Sequence, residues 1–176
     1  MPDQRTLILG GARSGKSIAA ERMLSAEAEV LYVATGGDDS GNAEWADRVA
    51  KHQARRPSTW GLTETIDLVP LLESPGPSLL IDCLTLWLSR TMDAVDVWSD
   101  LSRADELDTR ITALSDAWSS TPRRVVAVSN DVGSGIVPAD PATRLFRDLM
   151  GRLNTTISLS STEVLWTIAG RTLPLT

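Results

Sequence analysis

The stretch Gly10-Gly11-Ala12-Arg13-Ser14-Gly15-Lys16-Ser17 fits the pattern G-x-x-x-x-G-K-S/T, and each part needs its own residue type. Glycines let backbone N–H groups curl around a phosphate chain without Cβ clashes. A helix beginning at Ser17 would aim its positive dipole end at the same anion. Lys16 brings a compact cation to the outer phosphates, and Ser17 offers a hydroxyl to Mg²⁺. A chance glycine-rich turn is the alternative, but an apolar strand before the motif and a helix after it are the context that phosphate binding requires. Such a loop works with an acid at the end of a neighbouring strand, which holds Mg²⁺ directly or through water. Ser78-Leu79-Leu80-Ile81-Asp82 supplies one, a mostly apolar run ending in a carboxylate where ligands sit in open α/β sheets. Asp82 also suits the N-cap of a following helix, and the two roles are compatible.

His52 is the single histidine. Arg48 lies four residues before it and Arg56 four after, so all three share a helical face, with Arg55 close by. Nearby positive charge disfavours imidazolium and keeps the ring neutral and nucleophilic near pH 7. The same arginines would hold a phosphate beside it. Together these suggest nucleotidyl transfer through a phosphoramidate. An exposed helical histidine among solvated arginines accounts for the same spacing, and spacing alone does not choose between them.

The elements that must position these residues alternate short apolar runs with amphipathic stretches, which predicts an α/β domain with a mostly parallel sheet. Strands are expected at Thr6–Leu9, Val30–Thr35, Trp60–Thr65, Ser78–Asp82, Val125–Ser129 and, last, Glu163–Ala169. Helices are expected at Ser17–Ala28, Ala43–Arg55, Leu84–Met92, Trp98–Trp118 and Pro141–Ile157, with Pro57 ending the second. Gly36–Asn42 reads as a mobile loop. No internal repeat or long linker appears, so residues 1–176 are expected to form one domain.

Composition narrows the partners. A chain of 176 residues with 42% hydrophobic and 23% charged residues can bury a proper core. A net charge of −6 argues against a duplex nucleic-acid surface. The apolar run around Leu79–Leu88 is broken by Asp82 and Thr85, far short of the roughly 20 residues that span a bilayer. Met1-Pro2-Asp3-Gln4-Arg5 does not open a signal peptide, which predicts a cytoplasmic protein without membrane insertion. One cysteine, Cys83, excludes an intrachain disulfide and a cysteine-only zinc site, and one histidine excludes multi-histidine metal sites.

Four segments, GGARSGKS, HQARRPSTW (His52 to Trp60), IDCLTLWLS (Ile81 to Ser89) and SNDVGSGIVPADPATRLFRDLMGRLN (Ser129 to Asn154), stand in the order and spacing of one known family. From Leu7 to about Leu175 the chain resembles the bifunctional adenosylcobinamide kinase/adenosylcobinamide-phosphate guanylyltransferases of cobalamin assembly. The resemblance implies a P-loop NTPase-type three-layer α/β fold and a homotrimer with active sites near subunit contacts. It implies phosphorylation of the aminopropanol hydroxyl of adenosylcobinamide from ATP or GTP. GMP would then pass from GTP to that phosphate through a histidine-bound intermediate, releasing pyrophosphate.

By motif, the guanylylated histidine falls on His52, with Lys51 where some relatives carry a second histidine. The nucleotide-binding positions fall on Gly10, Gly11, Ala12, Arg13, Ser14, Gly15, Lys16, Ser17, Thr35, Gln53, Ala54, Arg55, Arg56 and Glu64, with Asp82 as the acid after its strand. In the implied mechanism Lys16 and Mg²⁺ on Ser17 and Asp82 stabilise the transferring phosphoryl group, and Arg55 or Arg56 neutralises charge in the second step. Asp131 stands where relatives more often have glutamate. The loop Ser129–Pro138 is expected to touch substrate or nucleotide, or else to serve backbone geometry alone. Two rival readings remain at this level: a simple phosphate-loop kinase with His52 idle, and a nucleotide-binding switch with negligible turnover.

Overall fold

The computed structural model describes residues 4–37 and 57–175. Seven strands form one sheet: β1 (Arg5–Gly10), β2 (Val30–Ala34), β3 (Gly61–Glu64), β4 (Ser78–Asp82), β5 (Val125–Asn130), β6 (Glu163–Ile168) and β7 (Arg171–Pro174), in spatial order β3-β2-β4-β5-β1-β6-β7. Every pairing is parallel except β6 with β7. The described helices are α1 (Lys16–Met23), α2 (Val69–Glu73), α3 (Leu84–Ala94), α4 (Ala104–Ser120) and α5 (Pro141–Leu159).

The central strands are buried on both faces, which is why β4 and β5 read as continuous apolar runs rather than alternating ones. One face carries Leu7, Val33, Leu79, Ile81, Val125, Ala127 and Val164 against the apolar stripes of α3, α4 and α5. The other carries Ile8, Tyr32, Leu80, Val126, Val128 and Leu165 against Ala20 of α1 and Leu24. Successive strand residues point to opposite faces, so Tyr32 and Ala34 of β2 share the α1 side with Leu80 and Asp82 of β4.

Several expectations change. α1 stops at Met23 rather than Ala28, because Arg22 C=O accepts both the Ser25 N–H and the Ser25 hydroxyl and closes the helix in a turn. The long helix starts at Ala104, not Trp98: Asp100 accepts the Ser102 N–H at 3.0 Å and heads a short 3₁₀ turn, Leu101–Arg103. Trp98 instead packs on Phe146, with ring centroids 6.0 Å apart. β6 is not the last strand. Ala169 and Gly170, at φ 50° and 75°, form a two-residue hairpin of the left-handed kind that returns the chain as β7. The short helix α2 was not expected, and the predicted helix Ala43–Arg55 lies outside the described residues.

Candidate active site

β1 delivers the chain at Gly10 between β5 and β6, opposite Asn130 and Thr167. Glycine is required there: a Cβ would stand 2.5 Å from the Thr167 carbonyl and 2.5 Å from Ser14 Oγ. The chain then takes left-handed backbone at Arg13 (φ 57°) and Gly15 (φ 99°), the alternation from which anion-binding concavities of N–H groups are built. Gly15 is the N-cap of α1 and no side chain caps the helix, so an anion is the natural partner for its first N–H groups. Lys16 folds its ammonium back over the loop and donates to the Gly11 carbonyl at 3.1 Å. Ser14 is buried. Its carbonyl accepts the Gly170 N–H at 2.9 Å, while its hydroxyl finds no hydrogen-bond partner among the described residues. The hairpin after β6 therefore forms one wall of the loop.

The acid side is built differently. Asp82 ends β4, but β4 does not neighbour β1 as the sequence reading expected: β5 lies between them. At the usual strand spacing the two strands are about 10 Å apart. α1 contacts both strands, so one helix spans the gap between loop and acid. Tyr32, almost wholly buried, donates its hydroxyl to Asp82 Oδ2 at 2.6 Å. Thr35 donates to the Cys83 carbonyl at 2.7 Å and accepts the Cys83 N–H at 2.9 Å. Its own N–H goes to the Asp82 carbonyl at 3.1 Å, and its carbonyl accepts from Arg90 at 3.1 Å. Thr35 thus clamps the turn after β4. The Asp82–Cys83 peptide is cis. The N-cap of α3 is Cys83 without a side-chain cap, so the capping alternative for Asp82 is not realised.

Burial pushes the Cys83 thiol up to about 11, and the Asp82 carboxylate adds to the rise. The Leu86 N–H and the Lys16 ammonium oppose it. One buried thiol therefore feels both the lysine of the loop and the acid of β4.

The segment after β5 borders the phosphate loop, with the Asp131 N–H donating to the Gly10 carbonyl at 3.3 Å. Asp131 organises its own turn by accepting the Gly133 N–H at 3.1 Å and the Ser134 hydroxyl at 2.7 Å. Arg147 holds the Gly133 carbonyl at 2.6 Å, and Arg144 holds those of Pro138 and Ala139 at 2.9 and 2.6 Å. Between this segment and α5 lies an open cleft of about 670 Å³ whose lining includes Val137, Arg144, Arg147, Asp148 and Arg152, three arginines to one acid. Ile136 stands at the tip, 96% exposed.

The structure thus gathers Gly10, Gly11, Ala12, Arg13, Ser14, Gly15, Lys16 and Ser17 into one cradle. Asp82 lies two strands away and Thr35 one strand further, while Glu64 is exposed at the end of edge strand β3, about 19 Å from β1 by strand spacing. His52, Gln53, Ala54, Arg55 and Arg56 lie outside the described residues. Tyr32 was missed by the sequence reading. The available signal was a lone tyrosine two residues from the end of a strand, facing the same side as the acid.

The family model described as cobinamide kinase / cobinamide phosphate guanyltransferase (CobU) matches residues 6–175. The chain belongs to this family. Among its relatives is the bifunctional adenosylcobalamin biosynthesis protein CobP of Pseudomonas aeruginosa, 41% identical over 97% of this chain and 96% of that protein. The bifunctional adenosylcobalamin biosynthesis proteins CobU of Salmonella typhimurium and Escherichia coli are 34% and 32% identical, each over 93% of this chain and 95% of its own length. As a member of the cobinamide kinase / cobinamide phosphate guanyltransferase family, the chain is a phosphate-loop enzyme with two group transfers to perform.

Proposed function

We propose that this protein, cytoplasmic by its N-terminal sequence and a homotrimer by its family resemblance (sedimentation mass checks the assembly), carries out both transfers along the carboxyl edge of its sheet. The first moves the γ-phosphoryl group of ATP or GTP to the hydroxyl of adenosylcobinamide. The second moves GMP from GTP to the resulting phosphate through His52. The observation that carries this reading is the glycine cradle at residues 10–17 opening an uncapped helix, within a chain matched to the family over residues 6–175.

In the first transfer the cradle's N–H groups and Lys16 hold the outer phosphates and stabilise the charge that spreads over them, a task of positioning more than of covalent chemistry. Asp82 and the Ser17 hydroxyl are hard oxygen donors. Among the described residues no group of three His, Cys, Asp or Glu could hold a metal. One carboxylate, one hydroxyl and substrate phosphates make a ligand set that suits Mg²⁺, which would add positive charge at the phosphates. The acceptor is placed over the segment 131–139, which borders the cradle and whose arginine-lined cleft favours a phosphorylated product. In the second transfer a neutral His52 attacks the α-phosphorus, pyrophosphate leaves, and the phosphate of the corrinoid then displaces the histidine. By the family resemblance Gln53, Ala54, Arg55 and Arg56 bind the nucleotide in this step, as do Thr35 and Glu64 at the far half of the edge.

The test uses GTP labelled at the α-phosphate with Mg²⁺, on the wild-type protein and on His52→Ala. Label that stays on denatured wild-type protein in alkali, is lost in acid, and is absent from His52→Ala is the expected result. Absence of label from both, with GTP shown to bind, would overturn the guanylyl half and leave a kinase or a switch.

A further inference from the structure

We infer that Tyr32 is a positioning residue for Asp82, one that commits the carboxylate to meeting a metal ion through a single oxygen and thereby favours Mg²⁺ over Ca²⁺. The inference rests on the reading of Asp82 as the metal-side acid.

Ala34 of β2 lies directly opposite Asp82 of β4, and Tyr32 lies one pleat further back on the same face. That offset is about 7 Å along the strand, close to the reach of a phenol from its Cα. A tyrosine at this position, and no shorter hydroxyl, brings an O–H to the carboxylate. The ring is 5% exposed, packed in the same cluster as Ile8, Ala20, Leu80 and Val128, so its direction is fixed by the core rather than by the acid. The 2.6 Å separation from Oδ2 lies in the range of a charge-assisted O–H···O⁻ bond.

Charge on Oδ2 is partly spent on the phenol O–H, which makes Oδ2 the weaker ligand and favours one-oxygen over two-oxygen contact with a cation. Mg²⁺ demands near-ideal octahedral geometry and is content with one-oxygen carboxylate ligands, whereas Ca²⁺ accepts six to eight oxygens and often both from one carboxylate. Tyr32 therefore penalises the larger ion. A purely structural role is the competing account: a buried phenol needs an acceptor, and Asp82 supplies one. That account predicts a loss of stability on removing the hydroxyl and no change in preference between ions.

The experiment measures Mn²⁺ binding to the full chain with a non-hydrolysable GTP analogue by electron paramagnetic resonance, with Mg²⁺ and Ca²⁺ as competitors. In Tyr32→Phe, Mg²⁺ affinity is expected to fall about 10-fold, and Ca²⁺ affinity to fall less or to rise. A Mg²⁺/Ca²⁺ ratio unchanged from wild type overturns the inference, whatever happens to the melting temperature. Asp82→Asn separates the two claims. If it weakens Mn²⁺ binding while Tyr32→Phe leaves the ion ratio intact, the acid stands and the tyrosine does not; if it leaves Mn²⁺ affinity at the wild-type value, the reading of Asp82 has failed. Tyr32 is the only tyrosine, so the wild-type fold offers a second readout. Uniform 3-fluorotyrosine labelling gives one ¹⁹F resonance, expected to broaden on adding Mn²⁺ to the nucleotide complex. A resonance that Mn²⁺ leaves untouched also overturns the inference.

Discussion

The phosphate cradle and the acid of β4 share one edge of the sheet but are held in place by different means. The cradle is a backbone object. Gly10 exists because Thr167 and Ser14 leave no room for a Cβ, and the turn depends on left-handed backbone at residues 13 and 15. The acid side is a side-chain object: Tyr32 on the carboxylate, Thr35 on both polar groups of Cys83, Arg90 on Thr35. Backbone devices shape the cradle around the functional side chain, Lys16, whose ammonium meets the loop at the Gly11 carbonyl. Side-chain devices spend polar groups on holding the site together, so function and stability become harder to separate there.

The sharpest way to break that contrast is Lys16→Ala. It should lower the phosphoryl-transfer kcat by about 10²–10³-fold, the cost of losing one preorganised charge partner, with the melting temperature within a degree or two of wild type. Paired turnover and calorimetry measurements check it, and a large drop in melting temperature would put the cradle in the same class as the acid side. Thr35→Val should show the reverse ranking. It keeps the shape but strands the buried Cys83 N–H and removes one of two donors to the Cys83 carbonyl, which keeps the Trp87 N–H; together these should cost about 2–4 kcal/mol in urea unfolding. Any fall in turnover should appear only as far as the fold loosens around Asp82.

The smallest effect sharpens the comparison through pH. Below pH 9 folded and unfolded chains both keep the Cys83 proton. Between pH 9 and about 11 the unfolded chain releases it and the folded chain does not, so unfolding gains and stability falls as pH rises. The loss should be roughly 2–3 kcal/mol over that window. Unfolding midpoints of wild type and Cys83→Ala at pH 8.5 and 10.5 isolate it, because all other titrating groups are common to both. Equal losses in the two proteins would show that the thiol is not held by its surroundings.

The same contrast explains what was legible. Gly10 to Ser17 is contiguous, so backbone geometry, helix start and lysine are written side by side. β4 and the end of β1 were equally plain because apolar runs bounded by polar residues mark buried parallel strands. The support of Asp82 was not legible, since Tyr32 and Asp82 are 50 residues apart and Thr35 and Cys83 are 48 apart. Their meeting depends on strand order, which periodicity does not give. Strand order also defeated the expectation that β4 adjoins β1. β7 was hidden by its ingredients: Pro174 argues against a strand, and Ala169 is a poor choice for left-handed backbone, yet an edge position and a following glycine tolerate both.

The contact between Ser14 and Gly170 has a consequence for synthesis of the protein. The phosphate motif is made well before β5 and β6, but its strand waits for β5 as one neighbour and for β6 as the other. Its outer wall is the hairpin made more than 150 residues later. A nascent chain thus carries a complete motif long before it carries a nucleotide site. A chain arrested before β6 would carry the whole motif without the strand and hairpin that wall it.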